Sequence, residues 1–388
     1  MKTAAIISEY NPFHYGHKML IEKTREAGAT HIVSVMSGNF VQRGDVAVFD
    51  KFTRARSALE NGVDLVIELP ERVSLMSAEG FARGAVELIT ALDCVDMLAF
   101  GSESGNIAAL REASGAIDYC LHTDEFNEQI RRGKSYPAAL NATLLEYYTD
   151  DVAEVIASPN NTLAVEYLNA LDNAGSSIEP FTIERVGAPH DSDSEDSDGS
   201  ASATLIRKLI LSGGDYSKYA PKISADIADA ADIMRLERAI LAKLRTMSSY
   251  DLEEIYDGAN GLGTRLYKAV RSAKTLSEVY FLTKTKRYTL ARIRRAVLCA
   301  FLGITRDFAL EKSAYIRVLG MNTRGKEILS AANSSLPVDT SLKALSKTSR
   351  SAARQANFTS KCTDIWQLAL EKPGRCGVDF TTPPVILE

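Results

Sequence analysis

TAAIISEYNPFHYGHKMLIEKTREAG, residues 3–28, runs from a short apolar stretch through an Asn-Pro turn into a segment of helical period that stops at Gly28. TAAIIS reads as a strand and Asn11-Pro12 as the turn. A helix begins near Gly16 and His17, with Met19, Leu20 and Ile21 on one side. A helix start presents unpaired backbone N–H groups and the positive end of its dipole, which together suit a phosphate. Gly16 lets another group approach the backbone closely. The chain has five histidines, and two of them, His14 and His17, stand three residues apart here. With about 3.6 residues per turn, both can face the same point. Two imidazoles there can donate hydrogen bonds to phosphate oxygens and stabilise the charge that builds as a nucleotide phosphate is attacked. The plainer readings of H-x-x-H are a metal pair or a buried pair. No third ligand of suitable spacing follows, and no metal site is assigned.

The alternation continues outward. THIVSVMS (30–37), VDLVIELP (63–70), VDMLAFGS (95–102) and IEPFTIERVG (178–187) read as strands. DKFTRARSALENG, SAEGFARGAVELITAL and SATLIRKLILSG read as helices between and after them, with two or three more helical stretches before the fifth strand. Strands alternating with helices predict a Rossmann-like parallel sheet covered on both faces, an α/β class. Ligands of such sheets bind at the carboxyl ends of strands where the strand order reverses. EYNPFHYGH, MSGNF and FGSESG all fall at that edge. After Gly213 helical patterns dominate, so the chain divides into a nucleotide-binding part, 1–212, and a mostly helical part, 213–388. HDSDSEDSDGS (190–200) is low-complexity and acidic and reads as a mobile loop. The last forty residues, rich in Ser, Thr and Pro, look loosely ordered.

The 388 residues suffice for two domains at roughly 100–200 residues each, and the net charge of −5 points to no global attraction for polyanions. The start is not a signal peptide, because its apolar run is short and Glu9 interrupts it. No stretch reaches the roughly 18–20 apolar residues of a membrane span. Five scattered cysteines without a CxxC fit reduced thiols and a cytoplasmic protein with no membrane partner. Against that acidic background, residues 262–330 hold fifteen Lys and Arg and four acids. KTKRYTLARIRRAVLCAFLGI (284–304) concentrates Lys284, Lys286, Arg287, Arg292, Arg294 and Arg295. A charge run of this kind is either a solvated face or a surface for an RNA backbone. Tyr267, Tyr280 and Tyr288 are interleaved and could stack on bases.

A second element follows the last sheet strand: SATLIRK, with Ser202, Thr204, Ile206 and Arg207. Hydroxyls and an arginine at a helix start add charge-assisted donors to the dipole and suit a triphosphate. The pair of motifs, His14-Tyr15-Gly16-His17 first and Ser-x-Thr-x-Ile-Arg almost two hundred residues later, resembles the HIGH-motif nucleotidyltransferase superfamily. MSGNFVQRGDVAVFDKFTRARSALENGVDLVIELP, FGSESG, SPNNTLAVEYLNAL, TKRYTLARIRR and YIRVLG are similar to the tRNA(Met) cytidine acetate ligase family over nearly the whole chain. That resemblance implies a ligase that makes acetyl-adenylate from acetate and ATP. It then acetylates N4 of the wobble cytidine of elongator tRNA(Met), giving N4-acetylcytidine.

Carried over to this sequence, the resemblance implies an ATP-binding segment of Ile7, Ser8, Glu9, Tyr10, Asn11, Pro12, Phe13, His14, Tyr15, Gly16, His17, Lys18, Met19 and Leu20. Gly101 would let the nucleotide lie against backbone. Asn160, or its neighbour Asn161, would hydrogen-bond the nucleotide. Arg185, with the backbone of Val186, would complete the pocket, and Ser202, Thr204 and Arg207 would stand near the phosphates. His14, His17 and Arg207 are the catalytic candidates. Asp45, Lys51 and Arg54 join Lys18 as secondary members. Lys284, Lys286, Arg287, Arg292 and Arg295 are the tRNA-binding candidates. Mg2+ is expected on the triphosphate on general grounds. Two departures stand out: Tyr15 replaces a smaller polar residue common in the family, and the acidic run at 191–198 sits where a shorter loop is usual. The alternatives are a small-molecule nucleotidyltransferase and a non-catalytic RNA-binding protein. A P-loop enzyme is disfavoured because no G-x-x-x-x-G-K-[ST] occurs.

Overall fold

The computed structural model describes residues 1–185, 201–225 and 227–388. Val186 and the acidic run at 191–198 lie outside them. Ten strands are present among the described residues: β1 (Thr3–Ser8), β2 (His31–Ser37), β3 (Phe40–Val41), β4 (Asp45–Val46), β5 (Leu65–Leu69), β6 (Met97–Ser102), β7 (Glu179–Glu184), β8 (Ile316–Met321), β9 (Val338–Asp339) and β10 (Val385–Ile386). The main sheet runs β10-β8-β5-β2-β1-β6-β7, with β9 on β8, and β3 and β4 form a separate hairpin. From β5 through β7 every pairing is parallel. The order therefore reverses between β1 and β6, which opens a crevice at their carboxyl ends.

Side-chain alternation explains the two-faced burial. Ile6, Ile32, Val66 and Ala99 pack on one face with Ile21, Ala55, Ala58 and Leu59 from helices Tyr15–Glu26 and Lys51–Glu60. Ala5, Val33, Leu65 and Leu98 point the other way, into a larger core with helices Ala78–Leu92 and Pro159–Asn173. Both faces are apolar because both are covered, so these strands read as continuous hydrophobic runs. Helix Tyr15–Glu26 ends where expected, at Gly28, whose φ of +97° is the left-handed backbone that favours glycine.

The Rossmann-like parallel sheet and the mostly helical remainder are both present, but the second part does not stay out of the sheet. YIRVLG supplies all of β8 but its last residue, and the strand runs antiparallel to β5 and is buried along its whole length. β10 then pairs parallel with β8. Leu266, Ile293 and Val297, from the helices after Gly213, belong to the same core as Val33 and Leu65. The last forty residues are also better fixed than their composition implies. Helix Arg350–Trp366 buries Ala352, Ala356, Thr359, Cys362 and Thr363, small residues whose spacing forms a face that ends in Trp366. Trp366 is 2% exposed, and its Nε1 donates to the Ala47 carbonyl at 2.8 Å. Among the described residues no helix is long and apolar enough to cross a membrane.

Candidate active site

At the end of β1 the chain turns through Tyr10, at φ +45°, and a cis Asn11-Pro12 bond into helix Tyr15–Glu26. Tyr10 and Phe13 are buried, with ring centroids 5.0 Å apart, and His17 lies 4.9 Å from Tyr10 and 5.5 Å from Phe13. This aromatic floor holds the His17 ring. His14 caps the helix: its Nδ1 accepts from the Gly16 N–H at 3.1 Å, and its own N–H donates to His17 Nδ1 at 3.2 Å. The two imidazoles stack at 3.7 Å.

These two bonds decide the tautomers. A ring nitrogen that accepts carries no proton, so a neutral imidazole here is protonated at Nε2. In the neutral form both rings therefore carry their proton on Nε2, and the two stand together as one stack. Burial, reinforced by the Arg185 and Arg207 charges, lowers the pKa of His14 from the ordinary histidine value to about 3. His14 is a neutral donor at physiological pH. Gly16 leaves room for this ring, since a Cβ there would sit 3.0 Å from His14 Cε1 and 3.1 Å from its Nδ1 and would press the imidazole aside.

The first-turn N–H groups are not open as the sequence led us to expect. Tyr15 N–H donates to the Tyr219 carbonyl at 3.1 Å, Gly16 N–H to His14 Nδ1, and His17 N–H to the His14 carbonyl. Side-chain donors therefore dominate this corner. Tyr15 itself is 44% exposed.

The second motif meets the first through Arg207. Its Nη1 donates to the Asn11 carbonyl at 2.9 Å and its Nη2 to Thr204 Oγ1 at 3.1 Å. Ser202 caps helix Ala203–Ser212 by accepting from the Leu205 N–H. Asn11 is buried and accepts from the Val48 N–H through Oδ1, which ties the strand exit to the hairpin side. Within the 7–20 segment, the buried Ser8 hydroxyl pairs with Ser34, and Glu9 accepts from the Gln42 N–H. Ile7, Lys18, Met19 and Leu20 are half-buried, and Pro12 is buried in the turn.

Across the crevice, Arg185 lies over Gly101: a Cβ at residue 101 would be 2.8 Å from Arg185 Cγ. The open backbone expected at Gly101 is thus covered by the arginine's own stem. Asn160 Nδ2 donates to Glu103, and Asn161, 3% exposed, accepts from the Ser104 N–H. Of the two asparagines, Asn160 is the more accessible.

Two secondary candidates turn inward. Lys51 is fully buried, 2.6 Å from Glu68 and 2.7 Å from Asp379. Arg54 donates to the carbonyls of Glu9, Ser37, Gly38 and Phe49, and so clamps the loops that follow β1 and β2. Both charges are buried and turned toward protein acceptors. Asp45 is half-buried at the hairpin. Burial raises its pKa against the opposing influence of Arg207.

The basic surface also divides. Lys284, Lys286 and Arg287 are exposed beside Phe281, which is 80% exposed and was passed over in the sequence. Arg295 is 8% exposed and bonds Asp257 at 3.1 Å. Arg292 donates to the carbonyls of Asp257 and Ala259. Arg295 is thus an internal fastener, while Arg292 is half-buried, with 26% of its side chain exposed. Tyr288 is likewise buried, its hydroxyl donating to the Asn260 carbonyl at 2.6 Å. The hairpin joins the two regions, because a Cβ on Gly44 would meet the backbone of Arg294 and Arg295 at 2.6 Å.

Residues 1–376 match the family model described as HIGH Nucleotidyl Transferase. The tRNA(Met) cytidine acetate ligase of Syntrophomonas wolfei is 35% identical, with 99% of each chain covered. That of Clostridium perfringens is 34% identical, with both chains covered in full. Among solved structures, apo Thermotoga maritima TmcAL superposes with a TM-score of 0.90 at 30% identity. Its form bound with alpha-thio ATP superposes at 0.89 and 30% identity, and both comparisons cover both chains in full.

Proposed function

The chain belongs to the HIGH nucleotidyl transferase family and, within it, to the tRNA(Met) cytidine acetate ligases, and from that premise we propose how its residues perform the reaction. ATP binds in the crevice between β1 and β6, with its phosphates toward His14, His17 and Arg207. An acetate oxygen attacks the α-phosphorus, the bond to pyrophosphate breaks, and acetyl-adenylate forms. The N4 amine of the wobble cytidine of elongator tRNA(Met) then attacks the acetyl carbonyl. AMP leaves, the amine gives up a proton, and N4-acetylcytidine remains.

The difficulty of the first step is that one anion must approach another. Arg207 offsets the repulsion, and hydrogen bonds from the imidazoles strengthen as charge builds on the phosphate oxygens. A neutral His14 supplies its donor without a proton being moved. The observation that carries this reading is the Arg207 bond to the Asn11 carbonyl, which brings two motifs 196 residues apart to one corner. Among the described residues no three His, Cys, Asp or Glu side chains gather as a metal set. The donors here suit phosphate oxygens, not a cation, so Mg2+ would be held by the triphosphate, where it would neutralise charge. The reaction is assigned to the cytoplasm, where its tRNA is found.

The test is pyrophosphate release from ATP with and without acetate, then with and without tRNA(Met). Acetate-dependent release followed by acetyl transfer to the tRNA is expected. Release indifferent to acetate but answering to a small nucleotide would favour plain adenylyl transfer. No release, with tRNA still bound, would favour a binding protein.

For the tRNA surface, Lys284→Ala, Lys286→Ala and Arg287→Ala together are expected to weaken binding evenly across tRNA sequences. They should also flatten the dependence of log K on log salt by about 0.7–0.9 per lost phosphate contact. Binding titrations at several salt concentrations read both effects. An unaltered slope would remove this surface from the complex.

A further inference from the structure

The turn after β6 holds a carboxylate that neither signature motif nor the reaction as described uses. Glu103 stands two residues beyond Gly101, at the carboxyl edge of the sheet where β1 and β6 part. Its Oε2 accepts from the Asn161 N–H at 2.8 Å. Its Oε1 accepts from the Asn160 N–H at 3.3 Å and from Asn160 Nδ2 at 2.6 Å. The Ser104 N–H returns a bond to Asn161 Oδ1 at 3.1 Å, so the turn and the start of helix Pro159–Asn173 are laced in both directions.

An ionised carboxylate only accepts hydrogen bonds. The Asn160 amide must therefore show its NH2 to Glu103 and turn its Oδ1 away. The same carboxylate fills the positive end of helix Pro159–Asn173, so a phosphate is disfavoured there by like charge. What this corner offers a ligand is an acceptor, Asn160 Oδ1, held by Glu103, which also acts as the opposing charge on the cation Arg185. An acceptor next to a cation, with phosphate excluded, suits the nucleoside end of a nucleotide.

We infer that Glu103 is a positioning residue for the nucleotide, orienting the Asn160 amide so that its Oδ1 accepts from a donor group of the nucleoside, without touching the nucleotide itself. The inference rests on the ATP site proposed above and adds to it the residue that sets the polarity of one wall. A role confined to capping the helix is the competing account, and a swap of the pair separates the two. Glu103→Gln lets the amide turn over, since Gln can present either end. Asn160→Asp sets two carboxylates against each other. The double variant E103Q/N160D restores a donor against an acceptor, keeps the net charge, and again turns an oxygen outward.

Direct ATP titration and thermal unfolding of all four proteins provide the test. Each single variant is expected to bind ATP about tenfold more weakly, the loss of about one hydrogen bond. The double variant is expected to recover to within about threefold of the parent, a strong pairwise coupling. Titration of the parent with 2′-deoxyATP, which lacks the ribose 2′-hydroxyl, and with ITP, which lacks the 6-amino group, identifies the donor by which one loses affinity. The inference is overturned if the single variants bind like the parent, if their losses simply add in the double variant, or if neither analogue loses affinity. A parent that binds ATP but shows no acetate-dependent pyrophosphate release would sink the proposed reaction and leave the role of Glu103 standing. A parent that binds no ATP would sink both.

Discussion

His14→Asn is expected to cut acetate-dependent pyrophosphate release by about 10²- to 10³-fold, the usual cost of removing one preorganised donor at a site of developing charge. The fold should survive. Asn is a strong helix N-cap and can accept from the Gly16 N–H as His14 Nδ1 does. The backbone N–H at residue 14 can still donate to His17 Nδ1. Parental rates in this variant would remove His14 from the mechanism.

The same variant has a signature in pH. The folded-state pKa of His14 lies near 3, below the ordinary 6.5. Between those values the unfolded chain binds a proton that the folded chain refuses, so stability falls as pH falls through that window and is complete above it. Lacking this contribution, His14→Asn should lose less stability than the parent between pH 7.5 and pH 5, read from denaturant midpoints. Adenylate formation by the parent should show no acid limb from His14 over the same range, because the ring is already neutral.

The largest effect on stability is expected at Lys51. Its ammonium sits between Glu68 and Asp379, and Arg317 bonds the same two carboxylates at 3.1 Å and 2.6 Å. Thr363 also donates to Asp379, at 2.8 Å. Nearby, burial lifts the Glu71 carboxyl to about 7. Lys51→Met would leave two buried carboxylates to one guanidinium. Breaking a buried pair on one side costs about 3–5 kcal/mol, because the abandoned charge keeps its desolvation penalty. A lower urea midpoint is expected, with earlier proteolysis of the C-terminal segment that Asp379 anchors. An unchanged midpoint would show that the cluster contributes nothing net.

These two sites differ in how far the sequence disclosed them. The HIGH-type corner is local: a strand, a turn, a cap and a glycine within one short window fix where His14 and His17 stand. Hydrophobic period and helix stop signals likewise disclosed the five parallel strands, four of which are continuous apolar runs because both their faces are covered, while β7 at the edge is only half-buried. The basic excess after residue 262 was also plain. What the window could not show was which charges turn inward. Lys51 and Arg54 read as secondary members of the nucleotide site and Arg295 as a tRNA ligand, because a sequence records a charge and not its partner. Glu103 stood in a quoted motif, yet its meaning depends on helix Pro159–Asn173 arriving beside it.

By itself the sequence determined the strand–helix alternation, the two motifs and their order, since each arises from neighbours along the chain. The tertiary structure decided the rest: that β8 and β10 return to complete the sheet beside β5, that the His14 and His17 rings stack and each accept a backbone N–H at Nδ1, and that Lys51 is a core residue. The physical reason is distance along the chain. Lys51 is buried because Asp379, 328 residues away, folds back to meet it, and the cost of burying a charge is met only by a partner that folding brings within reach.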